Sequence, residues 1–525
     1  MSIDSRSEVS AAELASLENG FMGHPKPLRP LFFTEMWERF SYYSIRPLLV
    51  LFMVASVGSG GFGFDEVTAS AIYGIFAGSL YLAAVPGGWL ADNWLGQERA
   101  LWWGSIIIAL GHLCIALSAM FGMTLFFMGL ICIVLGSGLF KTCISVMVGA
   151  LYPQGDARRD GGFTLFYMGI NIGALLAALI VGVFKEKGMW HVGFGVGGLG
   201  MLASLIIYRF SAKKTLNRYA SAKNINPEWE QMTGLYKNVG RWVAGFLILL
   251  AAITVLVATG IIPFNPEMVA QYMTYIIAAV VILYFAVMFI SPRLDKTDKL
   301  RLLICFILII GSTLFWSSFE QQPTSFNLFA DRYTDLNVLG FEIPSIWFQS
   351  LNPLFILLLA PIASIIWVKL ANRGLEPSSM VKFALGMLLT AAGFALMIFA
   401  SKSILTSEGG LASPLWLVGS LLLLTLGELA LSPVGLSAMT KLAPKGMQGQ
   451  MMGLFFASVA LGNLVAAFFG GYVTADKIEG LPGLFTTMTV FLVVTAVILL
   501  LLAKPINNML KQSEQADEAG KQSVK

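Results

Sequence analysis

Charge is scarce in this chain. Asp, Glu, Lys and Arg make up 12% of 525 residues, about half their share in a soluble domain. Hydrophobic residues make 57%, and the mean hydropathy is +0.76. Water cannot solvate such a surface, so composition alone points to a bilayer. There are three histidines, and His112 and His191 have no metal-like partners at helical spacing, so no metal is expected. Cys114, Cys132, Cys143 and Cys305 fall in apolar stretches without the spacing of a zinc site or redox dithiol, and read as small core residues. No HExxH, GxSxG, P-loop or paired-Asp motif is present to carry hydrolysis or phosphoryl transfer. Neither an enzyme nor a cofactor is expected. Gly193, Gly195, Gly197 and Gly198 lie in an apolar run with no strand before it, which makes them packing residues rather than a nucleotide loop. The first thirty residues are polar and acidic, without the basic start, short apolar run and cleavage site of a signal peptide.

Long apolar runs are what the chain has in plenty. About 20 apolar residues cross the hydrocarbon core. Fourteen stretches qualify, near 31–54, 68–91, 99–120, 123–149, 162–184, 189–209, 239–260, 269–290, 300–320, 345–370, 380–400, 413–440, 449–473 and 483–503. The expected organisation is a terminal segment (1–30), six spans (31–209), a polar loop (210–238), an inserted pair (239–290), six more spans (300–503) and a polar, mobile tail (504–525). A six-plus-six arrangement is the mark of transporters built from two pseudo-symmetric halves with the substrate near the midplane. The inserted pair carries no Glu, Lys or Arg deep in its spans and is expected to stand outside any polar path. With both termini cytoplasmic, that side receives 26 Lys and Arg and the other side receives five: Lys185, Lys187, Arg332, Lys402 and Lys477. The positive-inside rule then orients an even number of spans. No nucleic-acid surface is expected from charges distributed in this way.

Seven charges remain inside the spans: Glu35, Glu38, Arg39, Arg46, Lys141, Glu320 and Glu428. Each costs about 2.5 to 3.5 kcal/mol at the bilayer centre unless it finds a partner or water. On a helix of about 100 degrees per residue, Glu35, Glu38, Arg39, Tyr42 and Arg46 share one face. Lipid cannot touch that face cheaply, so it must look inward. Glu35 reaches Arg39 at i+4 spacing. Arg46, about three turns on, needs a partner from another helix, and Glu320 at the end of the seventh span matches it in depth.

Glu35-Met36-Trp37-Glu38-Arg39-Phe40-Ser41-Tyr42-Tyr43 resembles the ExxERFxYY motif of the proton-coupled oligopeptide transporters, a branch of the major facilitator superfamily. Phe166-Tyr167-Met168-Gly169-Ile170-Asn171-Ile172-Gly173 resembles the family's FYxxINxG motif. Gly87-Gly88-Trp89-Leu90-Ala91-Asp92, continuing to Leu95-Gly96 and Arg99, resembles the superfamily's loop between spans two and three. The resemblance runs from about residue 30 to 503. It implies an all-α integral membrane protein of the major facilitator fold, two six-helix bundles with two inserted helices. It implies proton symport of dipeptides and tripeptides by alternating access, in the cell inner membrane, with protons and lipid as the other partners; a monomer is the expected state, though nothing in the motifs specifies it. Residue by residue, Arg46 and Lys141 would hold the peptide carboxylate, Glu428 its amino group, and Asn171 and Asn352 its amide atoms. Tyr42, Tyr43, Tyr81, Trp316, Ser432 and Phe455 would line the site. Glu35, Glu38, Arg39 and Glu320 would handle the proton. Arg46 with Glu320 and Lys141 with Glu428 would be two bridges that close in turn, since protonating Glu320 frees Arg46.

Two departures bear on specificity. The fourth span reads Gly138-Leu139-Phe140-Lys141-Thr142-Cys143-Ile144-Ser145, where many members carry Phe-Lys-Pro-Asn, so it lacks a proline kink and an amide. Phe455 stands where a tryptophan is common and has no indole N–H to donate. A same-family carrier of another anion, such as nitrate or a peptide-like compound, is the alternative, with a channel behind it. Glu428, useful for an amino terminus, favours peptides.

Overall fold

The computed structural model describes residues 11–152, 156, 158–223, 238–292, 294–338, 340–375, 377–406, 410–444, 448–470 and 478–523. In an environment without water, backbone N–H and C=O groups must satisfy one another, so long apolar runs fold as helices. Those helices are α1 (Ala11–Glu18), α2 (Leu28–Val54), α3 (Glu66–Leu90), α4 (Gln97–Phe121), α5 (Met123–Gly149), α6 (Arg159–Glu186), α7 (Trp190–Ile207), α8 (Lys213–Lys223), α9 (Val239–Ala258), α10 (Pro266–Ile290), α11 (Lys296–Phe319), α12 (Asn327–Tyr333), α13 (Leu351–Asn372), α14 (Ser379–Thr406), α15 (Pro414–Leu442), α16 (Gln448–Gly470) and α17 (Leu481–Ser523). A single hairpin, β1 (Asn337–Val338) with β2 (Phe341–Glu342), is the only sheet among the described residues.

Each of the fourteen expected spans is occupied by one long helix. Thirteen helices are long and apolar enough to cross a membrane among the described residues; α2 is as long but carries Glu35, Glu38, Arg39 and Arg46. Local chemistry sets several ends. Asn265 accepts from the Met268 N–H at 3.0 Å with Pro266 opening α10, and Asp295 caps α11 through the Asp298 N–H at 2.7 Å.

Two boundaries differ from the sequence expectation. The seventh span does not end at 320: a wide turn over Gln322–Phe326 carries α11 into α12, giving a helical segment Lys296–Tyr333. Pro323 lacks an N–H, and a π-type turn absorbs the missing bond. The polar run after Phe319 looked like a loop, yet Glu320, Gln321, Gln322, Thr324, Ser325 and Asn327 are all buried. Gln321 donates to the Ser317 and Ala466 carbonyls at 3.2 and 3.0 Å. The tail is also helical, since α17 continues past Lys504 to Ser523. Of the 210–238 connection, α8 is seen, and 224–237 lie outside the described residues.

The chain divides into two compact units. Unit 1 is Met1–Ile45, Ala83–Val181 and His191–Pro263; unit 2 is Arg46–Leu82, Gly182–Trp190 and Phe264–Lys525. In unit 1, α4 and α5 meet through glycine. A Cβ on Gly104 would lie 2.7 Å from the Gly136 carbonyl oxygen, and one on Gly111 would lie 2.7 Å from that of Gly129. In unit 2, α14 and α15 repeat the device with Gly386 against the Gly427 oxygen at 2.8 Å and Gly393 against the Ser420 oxygen at 2.9 Å. Small residues let membrane helices approach closely where hydrophobic association is unavailable. His112 has the structural role expected of it: Nε2 lies 2.6 Å from Ser41 Oγ and Nδ1 3.2 Å from the Phe194 oxygen, with its ring under Gly197. At the polar end of unit 1, α8 is braced by Lys213–Glu98 at 2.5 Å, Lys223–Glu18 at 2.7 Å and Arg218–Glu13. Nearby, His24 Nδ1 lies 3.0 Å from Tyr152 Oη, and burial pushes that phenol up to about 12.

Gly136→Val places two methyl groups where a backbone carbonyl already sits, and overpacking of this kind costs about 1 to 3 kcal/mol. The detergent-solubilised variant is expected to melt several degrees below the parent, by thermal-shift size-exclusion chromatography. Gly245→Val on α9, where a Cβ meets nothing within 4 Å, is expected to leave the transition in place.

Candidate functional site

In unit 1 the acidic motif forms one buried cluster. Arg39 Nε lies 3.1 Å from Glu35 Oε1 and 2.5 Å from Glu38 Oε2, and all three side chains are less than a tenth exposed. One guanidinium therefore answers two carboxylates. Glu35 Oε2 is buried with no hydrogen-bond partner among the described residues, a position that a proton would satisfy. The Arg39 guanidinium also sits 5.7 Å from the Tyr42 ring centre, and Tyr42 packs against Tyr43 at 5.0 Å. Lys141 is close enough for its charge to act on Glu35.

Glycine seats these helices. A Cβ on Gly173 would lie 2.2 Å from the Met36 oxygen, and one on Gly169 would lie 3.0 Å from the Phe32 ring, so both motif glycines press α6 onto α2. Between them Asn171 is buried and donates to the Tyr167 oxygen of its own helix at 3.0 Å. A Cβ on Gly87 would be 2.1 Å from the Gly138 oxygen, which holds α3 against α5 one turn before Lys141. Asp92 accepts from Gln97 at 2.6 Å and so closes the loop that follows. With no proline, α5 is continuous through Lys141.

Unit 2 gathers the remaining charges. Arg46 Nη2 lies 2.6 Å from Glu320 Oε2, with side chains 14% and 4% exposed, which is the partnership the sequence expected. Asn352 donates to Glu428 Oε2 and to Thr425 Oγ1, both at 3.0 Å. Arg46 and Glu320 both lie near enough for their charges to act on Glu428, so the three form one electrostatic group. Trp316 is buried against Phe319 at 5.2 Å, and its indole N–H has no acceptor among the described residues. Tyr81 and Ser432 are half-buried, Ser432 one residue before Pro433, where α15 loses a backbone donor. Phe455 is buried, with its ring packed over Gly435 of α15.

The structure adds contacts that the sequence did not reveal. Arg332 Nη1 pairs with Glu66 Oε1 at 2.7 Å, and Lys185 pairs with Asp331, which also accepts from Ser345 Oγ at 2.7 Å. Asn327 Nδ2 donates to the Pro47 oxygen at 2.8 Å. Glu320, Asn327, Asp331 and Arg332 thus tie one rod, α11 through α12, to α2, α3 and α6. The sequence assigns Lys185 and Arg332 to the non-cytoplasmic side but gives neither a partner.

Comparison with known proteins gives a consistent result. The POT family model matches residues 98–487. The chain is 56% identical over 494 residues to "Peptide transporter YePEPT" of Yersinia enterocolitica subsp. palearctica, covering 94% of this chain and 97% of that one. It is 35% identical over 507 residues to a "Di-/tripeptide transporter" of Lactococcus lactis subsp. cremoris, covering 94% and 98%. Its fold matches the crystal structure of a peptide transporter POT in complex with sulfate, with a TM-score of 0.83 at 37% identity over 96% and 99% of the two chains.

Removing one member of a buried ion pair costs about 3 to 5 kcal/mol, whereas replacing both with apolar residues is close to neutral. Arg46→Met alone and Glu320→Leu alone are each expected to lower the melting temperature, and the double variant to recover it. Peptide uptake is expected to be lost in all three, which separates the pair's part in transport from its part in stability.

Proposed function

The chain belongs to the POT family and has its major facilitator fold, and from that premise we propose that it is a proton-coupled symporter importing dipeptides and tripeptides by alternating access. It is a multi-pass membrane transporter and not an enzyme. Arg46 and Glu428 carry the substrate reading. In one compact unit they set a guanidinium and a carboxylate close enough for their charges to act on each other, a cation for a peptide's carboxylate and an anion for its ammonium. Trp316 offers an indole N–H that has no acceptor among the described residues, and Asn352 holds the Glu428 carboxylate in place. A zwitterion read at its two ends through fixed charges leaves the side chains free to vary.

Lys141 joins Arg46 in holding the carboxylate, with Asn171 and Asn352 on the amide atoms. Tyr42, Tyr43, Tyr81, Ser432 and Phe455 support or line the site. The proton is handled at Glu320 and at the Glu35, Glu38 and Arg39 cluster. Protonating Glu320 releases Arg46, the peptide carboxylate takes the freed cation, and the halves rock. In the opposite phase Lys141 and Glu428 take over the closing role. The excess of Lys and Arg on one side supports cytoplasmic termini in the cell inner membrane, with lipid around the chain and a monomer as the transporting unit.

The energetics suffice. A neutral zwitterion draws nothing from the membrane potential, but one accompanying proton across 100 mV is worth about 2.3 kcal/mol, enough for about 50-fold accumulation. In proteoliposomes with an inward proton gradient and a negative interior, labelled dipeptide is expected to accumulate, and a protonophore to abolish accumulation. Glu35→Gln is expected to lose gradient-driven uptake while retaining exchange of labelled for unlabelled peptide. Unchanged driven uptake in both Glu35→Gln and Glu38→Gln would remove that cluster from the proton's route.

A further inference from the structure

The inserted pair has no part in the transport reading above, yet one of its helices is docked in a specific way. Along α10, Ala270, Met273, Ile277, Val281 and Phe285 recur at helical spacing and make a single inward stripe. Ile276, Val280, Leu283 and Val287 on the other faces are exposed, as an apolar helix bordering lipid should be. Toward its end, α10 is fastened by specific contacts: Tyr284 Oη donates to Gln450 Oε1 of α16, and Phe285 packs against Phe306 of α11 with ring centres 4.8 Å apart. Near its start the chemistry changes. There Ala270, Met273 and Ile277 pack with Ala71 and Ile75 of α3 and with Leu464 of α16, all apolar.

That three-helix junction lies on a seam. On the same stretch of α3, a Cβ on Gly74 would lie 2.5 Å from Ala467 Cβ, and one on Gly78 would lie 3.2 Å from the Ala460 oxygen. Thus α3 meets α16 almost backbone to backbone, and α10 covers the edge of the contact. The stretch begins at Glu66, whose pair with Arg332 belongs to the same closed end as Arg46–Glu320. When that end opens, α3 must leave α16. A small, apolar contact can part and re-form without stranding a polar group in lipid, whereas a hydrogen bond and a close pair of aromatic rings resist parting.

We propose that α10 is a lateral seal: it travels with α11 and α16, presses on α3 across the seam to exclude lipid while this end is closed, and releases α3 when the end opens. The proposal rests on the alternating-access reading. It assigns the insert a moving face at Ala270 and a fixed one at Tyr284.

The test uses full-length protein in proteoliposomes, with the four native cysteines replaced and cysteine pairs bridged by a short bis-methanethiosulfonate reagent. Bridging Ala71→Cys to Ala270→Cys is expected to cut driven uptake by about tenfold or more, with recovery on reduction. Bridging Tyr284→Cys to Gln450→Cys is expected to leave uptake unchanged. Full uptake with the first bridge closed overturns the proposal, and so does a block by the second. Should the first pair not fold, Ile75→Cys with Ile277→Cys asks the same question one turn along. Uptake by the same vesicles before bridging tests the transport reading itself, so a failure there is distinguishable from a failure of the seal.

Discussion

An ionised side chain in hydrocarbon is tolerated only in company, and the arrangement of this molecule follows from that constraint. Arg46 and Glu320 meet at 2.6 Å because neither has a cheaper place to be. Glu35 and Glu38 crowd onto Arg39 for the same reason, and Asn352 turns its amide to Glu428. Such partnerships are poor investments in stability, since an apolar replacement of both members does as well. Under the proposed function their value lies in exchange: a partner that is costly to lose is a partner that a proton or a substrate carboxylate can replace. Glu35 Oε2 is buried without a donor among the described residues, and it lies on the helix that also carries Arg46.

Holding charges at fixed depth demands stiff helix pairs, and glycine supplies them. The contacts between α4 and α5 and between α14 and α15 share a register: Gly104 and Gly111 correspond to Gly386 and Gly393, while Gly129 and Gly136 correspond to Ser420 and Gly427, with seven residues between contacts in every case. Seven residues are close to two turns, so both contacts fall on one face. The recurrence of one packing device in each unit is a structural trace of a repeat that the hydropathy pattern suggested only through its count of spans.

Much of this was legible beforehand. Apolar runs located all fourteen long helices because in a membrane the solvent enforces backbone pairing, leaving length and hydropathy as nearly sufficient signals. The Arg46–Glu320 and Glu35–Glu38–Arg39 partnerships were also readable, from depth and helical phase. What escaped was wherever polarity stopped meaning exposure. Gln321, Gln322, Thr324, Ser325 and Asn327 read as a loop and are buried helix, which concealed Asp331 and Arg332 as pairing residues. The packing of Phe455 over Gly435 likewise depends on which helix lies behind it, and a single sequence does not carry that information.

The repeat register sharpens one last point. Counting from Gly136 and Gly427, Lys141 corresponds to Ser432, and Glu428 corresponds to Ser137. Each half therefore keeps a small polar residue where the other places its charge, and the two charges differ in sign and stand about one turn apart in equivalent frames. A scaffold of two like halves bearing like charges would favour a ligand of one sign. The cation on α5 and the anion on α15 instead break the likeness of the two frames, while the glycine contacts that position both helices remain the same. Under the proposed function a ligand with two unlike ends needs only these two charges on a duplicated frame, and Asn352 holds the Glu428 carboxylate by a hydrogen bond.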